Sequence, residues 1–359
     1  MTHATLAPSA ASRWIPCPGS LALSARQPPE DDSPEAAEGT RVHAVFTELL
    51  TDRPPSDDAI ADVLRPLIDR HIRPMITGDM MLYTEIPIPI PSVHESCFGT
   101  PDAWAICHDR RRLYIWDLKW GHRHVASIDN PQLMLYASGV IDLAGLPDDY
   151  SVQAVIIQPR CYTHPSVHGW TTTVADVRHQ ASVAARSAEV ALLPGAAVHT
   201  GPHCMHCPGA IDCEALQQVG RDAMDTSGRS TPLDMTPDEI GSELTRLRDA
   251  ADRLKARIDA LEARALAALK AGATVPGWRI GYTSPHVRWT IPPETVITLG
   301  VMAGIDLAVL GTVTPTQAIK KGMDDSVVRA YSERPPGTAR IEPISPTDAK
   351  RVLQGAVSS

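Results

Sequence analysis

Five polar side chains crowd into one short and otherwise apolar stretch. Asp102 lies in FGTPDAWAI, Asp117 and Lys119 in LYIWDLKWG, and Gln132 and Tyr136 in NPQLMLYA. Two carboxylates beside a lysine suit a hard divalent cation and a polarised water. Mg²⁺ takes octahedral oxygen ligands and keeps several of its waters, so one or two carboxylates suffice on the protein side. The remaining positions suit a phosphate oxygen and an attacking water. The Lys119 ammonium could orient that water or neutralise charge as it builds on phosphorus.

Convergence of these groups demands particular elements. Leu113–Trp120 is β-branched and aromatic and is followed by Gly121, which predicts a strand. Its period of two puts Asp117 and Lys119 on one face. Phe98–Cys107 predicts the preceding strand, and a turn over 108–112 makes the two antiparallel. Asn130 caps a helix with Pro131 at its first position, and Gln132 and Tyr136, four apart, share a face of it. Upstream, a helix is expected over 33–50, with Ser33 as cap, Pro34 first and Val42, Phe46 and Leu49 as buried stripe; His43 lies beside that stripe. A second helix is expected from Asp58 to Ile72. Leu82–Ile90 reads as an edge strand, because Pro87 and Pro89 cannot donate to a ladder. Glu85 within it is either a third carboxylate of the site or a solvent-facing strand residue. Val152–Gln158 is a buried strand, His168–Val174 its antiparallel neighbour, and Asp176–Leu193 a helix. The order is helix, three strands, helix, strand.

Four spaced motifs occur in sequence: Gly39 to His43, Gly99 to Asp102, Asp117 to Lys119, and Gln132 to Tyr136. A lone D-x-K means little, since Asp348-Ala-Lys350 is another without strand context. The ordered set resembles the PD-(D/E)XK nuclease superfamily in its RecB-like branch. That resemblance implies an α/β fold with an αβββαβ core, and a metal-dependent DNA exonuclease. It also implies that Asp102, Asp117, His43 and the Leu118 position hold Mg²⁺ or Mn²⁺, with Glu85 assisting. Lys119 would position the attacking water. Gln132 and Tyr136 would seat the DNA strand, or else close their helix against the sheet. RWIPCPGSLAL resembles the opening of a phage-encoded family with this core. The implied setting is phage DNA recombination on single-stranded DNA or duplex ends, with a single-strand-annealing protein or a helicase as partner. The rival expectation is a non-catalytic DNA-binding or assembly module on the same fold.

Cys204, Cys207 and Cys213 form C-x2-C-x5-C, with Cys17 far upstream. Around such a core this split set resembles the iron–sulfur exonucleases, AddB-type subunits and CRISPR-associated RecB-like enzymes among them. The resemblance implies a 4Fe–4S cluster stapling the start of the domain to its end. The same cysteines could equally hold structural Zn²⁺. His203 and His206 read as bystanders, and Cys97, Cys107 and Cys161 as buried small hydrophobes.

The 359 residues allow two domains. A formal charge of −9 argues against a uniformly basic coat but leaves room for a local basic groove. No apolar run reaches the roughly 20 residues of a membrane span, and no secretory signal is evident, so a cytoplasmic setting is expected. The expected division is a nuclease domain over 1–221, a linker over 222–235 and a mainly helical domain over 236–359. Within the last, Thr236 to Glu239 is a capping box. A heptad seam follows (Ile240, Leu244, Leu247, Ala251, Leu254, Ile258, Leu261, Ala265), fitting an intramolecular arm, a homo-oligomer zipper through 236–271 or a partner-docking helix. Trp278–Thr290 reads as a hairpin turning at Ser284-Pro285, either a stacking platform for single strands or packing against helices. Short helices are expected over 293–330, and a loosely ordered Pro-rich tail after them.

Overall fold

The computed structural model describes residues 4–27, 34–78, 80–227, 234–282, 287–309, 311–335, 337 and 339–343. Contacts divide the chain into 1–257 and 258–359. The first unit is mixed α/β, a mixed sheet flanked by helices. The chain opens with short helices α1 (Ala11–Trp14) and α2 (Ser20–Ser24), followed by α3 (Pro34–Leu50) and α4 (Asp58–His71). The strands β1 (Leu82–Thr84), β2 (Ile88–Pro89), β3 (Phe98–Gly99), β4 (Ala103–Cys107) and β5 (Arg112–Leu118) come next. Then come α5 (Pro131–Ala144), β6 (Ser151–Ile157), β7 (Val167–Thr173), α6 (Val174–Ala191) and α7 (Glu214–Ser227). The sheet runs β1-β4-β5-β6-β7. Only β5 and β6 are parallel, as the α5 crossover between them requires.

Each face of the sheet carries its own core, because β5 is buried on both sides. Tyr114, Trp116 and Leu118 pack with Val42, Phe46 and Leu49 of α3 and Leu64 and Ile68 of α4. Leu113 and Ile115 pack with Leu133, Ala137 and Val140 of α5 and Val177 of α6. Asp117 shares the parity of the second set and therefore faces α5. Asn130 caps α5 as expected, its Oδ1 accepting from the amides of Gln132 at 3.0 Å and Leu133 at 3.2 Å. Gly145 ends the helix at φ +61°, a conformation that costs glycine little.

Two expected strands are each split. Leu82–Ile90 breaks at Glu85, whose φ of +51° leaves the extended region; β1 joins the main sheet, while β2 pairs with β3. Phe98–Cys107 breaks into β3 and β4 around Pro101, which has no amide to donate. The expected Ser33 cap lies outside the described residues. The linker expected over 222–235 begins as helix instead, since α7 runs to Ser227. The Thr236–Glu239 box does form, ahead of α8 (Pro237–Lys270).

Taken by itself, 258–359 opens with the last turns of α8 and mixes helices with short strands. It combines β8 (Trp278–Tyr282), β9 (Arg288–Trp289), α9 (Pro293–Met302), β10 (Ala308–Val309), β11 (Gly311–Thr312), α10 (Pro315–Lys320), α11 (Asp325–Ala330), β12 (Ser332–Glu333) and β13 (Ala339–Pro343). Among the described residues, the two arms of the expected hairpin over 278–290 do not pair with each other. β8 pairs with β13 and β9 with β12, so the tail through Pro343 supplies strands rather than loose chain. Local turn chemistry at Ser284-Pro285, itself outside the described residues, could not reveal partners so distant in sequence. Trp289 donates its indole N–H to the Val313 carbonyl at 2.7 Å, which ties it into packing rather than into a stacking platform.

Candidate active site

The two sheet faces and the break after β1 bring His43, Glu85, Asp102, Asp117, Lys119, Gln132 and Tyr136 to one end of the sheet. Asp102 is buried at the start of β4. Its Oδ2 accepts from the Leu118 amide at 2.5 Å, and its Oδ1 lies 3.0 Å from His43 Nδ1. Leu118 thus enters the site through its N–H. Glu85 Oε1 stands 3.9 Å from the same His43 nitrogen. One ligand atom from each of His43, Glu85 and Asp102 falls within 4.8 Å of the others. The left-handed backbone at Glu85 breaks the strand rule and turns the carboxylate to this side. Such a conformation in a non-glycine residue is costly and is concentrated at functional sites.

Asp117 sits beside this triad, buried on the α5 face. Gln132 holds it: Nε2 donates to Asp117 Oδ1 at 3.0 Å and to the Tyr136 hydroxyl at 3.3 Å, while Oε1 accepts from Lys119 Nζ at 3.0 Å. Lys119 Nζ is 2.8 Å from Asp117 Oδ2. Asp117 Oδ2 is thus buried against the Lys119 ammonium. Gly99 is required by the same packing, since a Cβ there would stand 2.8 Å from Tyr136 Cε1.

The electrostatics describe a place short of positive charge. Burial, then the charge of Asp102, pushes the Glu85 carboxyl up to about 6. Burial also raises Asp117, with Lys119 opposing and Asp102 adding to the shift. Burial alone would lower His43, but its hydrogen bond to Asp102 and the carboxylates around it outweigh that and raise it. Burial raises the Tyr136 hydroxyl, which stays neutral while it accepts from Gln132. Three carboxylates, two of them buried, and an imidazole at the mouth fit a hard divalent cation. An open groove leads out along α3, lined by Gly39, Thr40, Thr47, Glu48 and Arg53 as well as His43, Glu85 and Asp102. Gly39 has nothing within 4 Å of where a Cβ would be, so its helix surface is bare on the groove side. Thr40, Thr47 and Arg53 carry no motif and were not legible as groove residues; only their spacing along the face of His43 hints at it.

The chain belongs to the DUF2800 family. That family, described as a protein of unknown function, matches residues 3–58 and 58–347.

The four cysteines expected to act together lie close enough for their charges to influence one another. The start of the chain docks on the cysteine loop: Gly19 N donates to the Ala197 carbonyl at 2.9 Å, and Gln27 Nε2 to Asp212 Oδ2 at 2.9 Å. A Cβ at Gly19 would stand 2.5 Å from the Ala196 carbonyl oxygen, so only glycine fits this crossing. Cys17 Sγ accepts from the His199 amide at 3.3 Å, and Cys204 Sγ from the Gly201 amide at 3.4 Å. His203 Nε2 lies 2.9 Å from the His199 carbonyl, and the nearby Cys17 and Cys204 thiols push its imidazole up to about 10. Burial opposes ionisation of Cys17 and Cys204, but His203 and backbone amides lower both overall; Cys207 and Cys213 are raised by burial. No three of these sulfurs close within 4.8 Å of one another among the described residues.

Proposed function

We propose that this chain is a divalent-metal-dependent deoxyribonuclease, an exonuclease of the RecB-like PD-(D/E)XK type, acting in phage DNA processing. The single observation carrying this reading is one polar chain through four spaced motifs. It runs from His43 to Asp102 and the Leu118 amide, and from Asp117 to Lys119, Gln132 and Tyr136. Mg²⁺ or Mn²⁺ would be held by Asp102 and Asp117 with Glu85 and His43, and when bound it supplies Lewis-acid polarisation of the phosphate and a nucleophilic water. Lys119 is held by Asp117 and Gln132 at the site's edge, where its ammonium orients the attacking water and offsets charge on phosphorus. Gln132 fixes the separation of Asp117 and Lys119 through both ends of its amide. His43 hands charge to Asp102 and faces the groove, where a phosphodiester strand would lie over bare Gly39.

The cysteine site is read as holding a 4Fe–4S cluster. The docking of 13–27 on the cysteine loop suits a staple of that kind, and structural zinc on the same four thiols is the alternative.

The test is degradation of end-labelled single- and double-stranded DNA with Mn²⁺. Wild-type protein should shorten at least one of the two, and Asp117→Ala and Lys119→Ala should both fail while still binding DNA. Wild-type protein that binds DNA and cleaves neither form would make it a binding module instead.

A further inference from the structure

A second metal-ligand set lies outside the carboxylate site and outside the four cysteines. Cys161, first read as a buried hydrophobe, is buried against two imidazoles. His124 Nδ1 and His164 Nδ1 each stand 4.0 Å from its sulfur. Their rings stack with centroids 3.7 Å apart, and the three ligand atoms all lie within 4.8 Å. Topology brings them together. β5 and β6 are parallel neighbours, so the loops leaving their C-terminal ends meet at the same edge, one carrying His124 and the other Cys161 and His164.

Those loops are already tied together. Gln158, buried, donates to the Gly121 and Arg123 carbonyls at 2.9 and 2.6 Å and accepts from the Val125 amide at 3.0 Å. His168 places Nε2 2.8 Å from the Val125 carbonyl and Nδ1 3.2 Å from that of Pro165, so both its nitrogens serve the loops. The Thr163 hydroxyl lies 3.0 Å from His164 Nδ1 and 3.6 Å from Cys161 Sγ.

We propose that His124, Cys161 and His164 form a Zn²⁺ site. One thiolate and two neutral imidazoles are borderline-soft ligands suited to zinc and poor for Mg²⁺. Zinc with sulfur at about 2.3 Å and nitrogen at about 2.0 Å needs S···N separations near 3.6 Å, a few tenths of an ångström inside the 4.0 Å observed. Binding also requires one of the stacked rings to turn so that both Nδ1 lone pairs meet at the ion, which exchanges the Thr163–His164 hydrogen bond for a metal bond. Solvent fills the fourth position, since His164 lies on the exposed side. The site would clamp the segment from Lys119 to the Asn130 cap, which carries both ends of the catalytic hydrogen-bond network.

The experiment is metal analysis of the full-length protein reconstituted with Zn²⁺ and freed of loosely held metal. Wild type, Cys161→Ala, His164→Asn and Cys204→Ser are compared. Cys161→Ala and His164→Asn should each lose one zinc relative to wild type, while Cys204→Ser keeps that ion. Reconstitution with Co²⁺ should give a thiolate-to-cobalt charge-transfer band in Cys204→Ser that Cys161→Ala lacks. His164 is exposed, so His164→Asn decides the matter if Cys161→Ala fails to fold. Unchanged zinc in His164→Asn, or no zinc in wild type, overturns the proposal. DNA cleavage is not a readout, so this result stands apart from the nuclease reading.

Discussion

At the scale of single residues the site is a balance between burial and charge. Gln132 touches Asp117, Lys119 and Tyr136, so on the proposed nuclease reading it is a positioning residue. Gln132→Ala should cut cleavage roughly 10–100-fold, the usual loss when a group orienting a metal ligand is removed. Steady-state kinetics should show the fall in kcat with little change in KM for DNA. Glu85 and His43 give a pH signature. Glu85 is raised in the folded state, so between about 4.5 and about 6 the fold binds more protons than the unfolded chain, and stability falls as pH rises. His43 is raised as well, and its contribution is also lost as pH rises. Without divalent metal, Tm should therefore drop on moving from about pH 5 to about pH 7.5, and Glu85→Gln should shrink that drop. Thermal scans at both pH values check this, and an equal drop in both proteins would remove Glu85 from the cause.

Elements explain which of these residues could be read in advance. Asp117 and Lys119 were legible because a strand's period is short and strict, and Gln132 and Tyr136 because Asn130-Pro131 fixes where α5 begins. Glu85 was only half legible: Pro87 and Pro89 announce a disrupted strand, but the break falls at Glu85 through a left-handed backbone that no local signal requires. Cys161 escapes a sequence reading because one of its partners, His124, comes from a different loop, and only the crossover topology places β5 and β6 side by side. The pairing of β8 with β13 escaped for the same reason. Two glycines separate packing from function. Gly99→Val would drive a side chain into Tyr136 and Pro8 and should cost about 1–3 kcal/mol in denaturant unfolding. Gly39→Ala meets nothing and removes a helix-interior glycine, so it should stabilise the fold by roughly 0.5–1 kcal/mol. If the DNA strand crosses that bare surface, the same variant should bind DNA more weakly, as fluorescence anisotropy would show.

Across the whole molecule, function rests on bringing distant segments together. Cys17 meets the 204–213 loop, and the chain's opening residues Leu6, Ala11 and Trp14 pack with Ala181, Ala184 and Ala188 of α6. Anaerobically purified protein should be brown from thiolate-to-iron absorption, and Cys204→Ser should lose the colour and unfold at lower temperature; stoichiometric zinc without iron would contradict the cluster. No helix among the described residues is long and apolar enough to cross a membrane. Ile240, Leu244, Leu247, Ile258 and Leu261 of α8 remain about half exposed, so the expected intramolecular arm gains no support and homo-oligomerisation stays a proposal. The proposed nuclease chemistry needs the carboxylates of Asp102 and Asp117 to grip one hard cation. Calorimetric titration of metal-free protein with Mn²⁺ tests this, because thiolate and imidazole sites bind Mn²⁺ poorly. Tight Mn²⁺ binding should be lost in both Asp102→Ala and Asp117→Ala. Binding that survives in both variants, or none in the wild type, would contradict it.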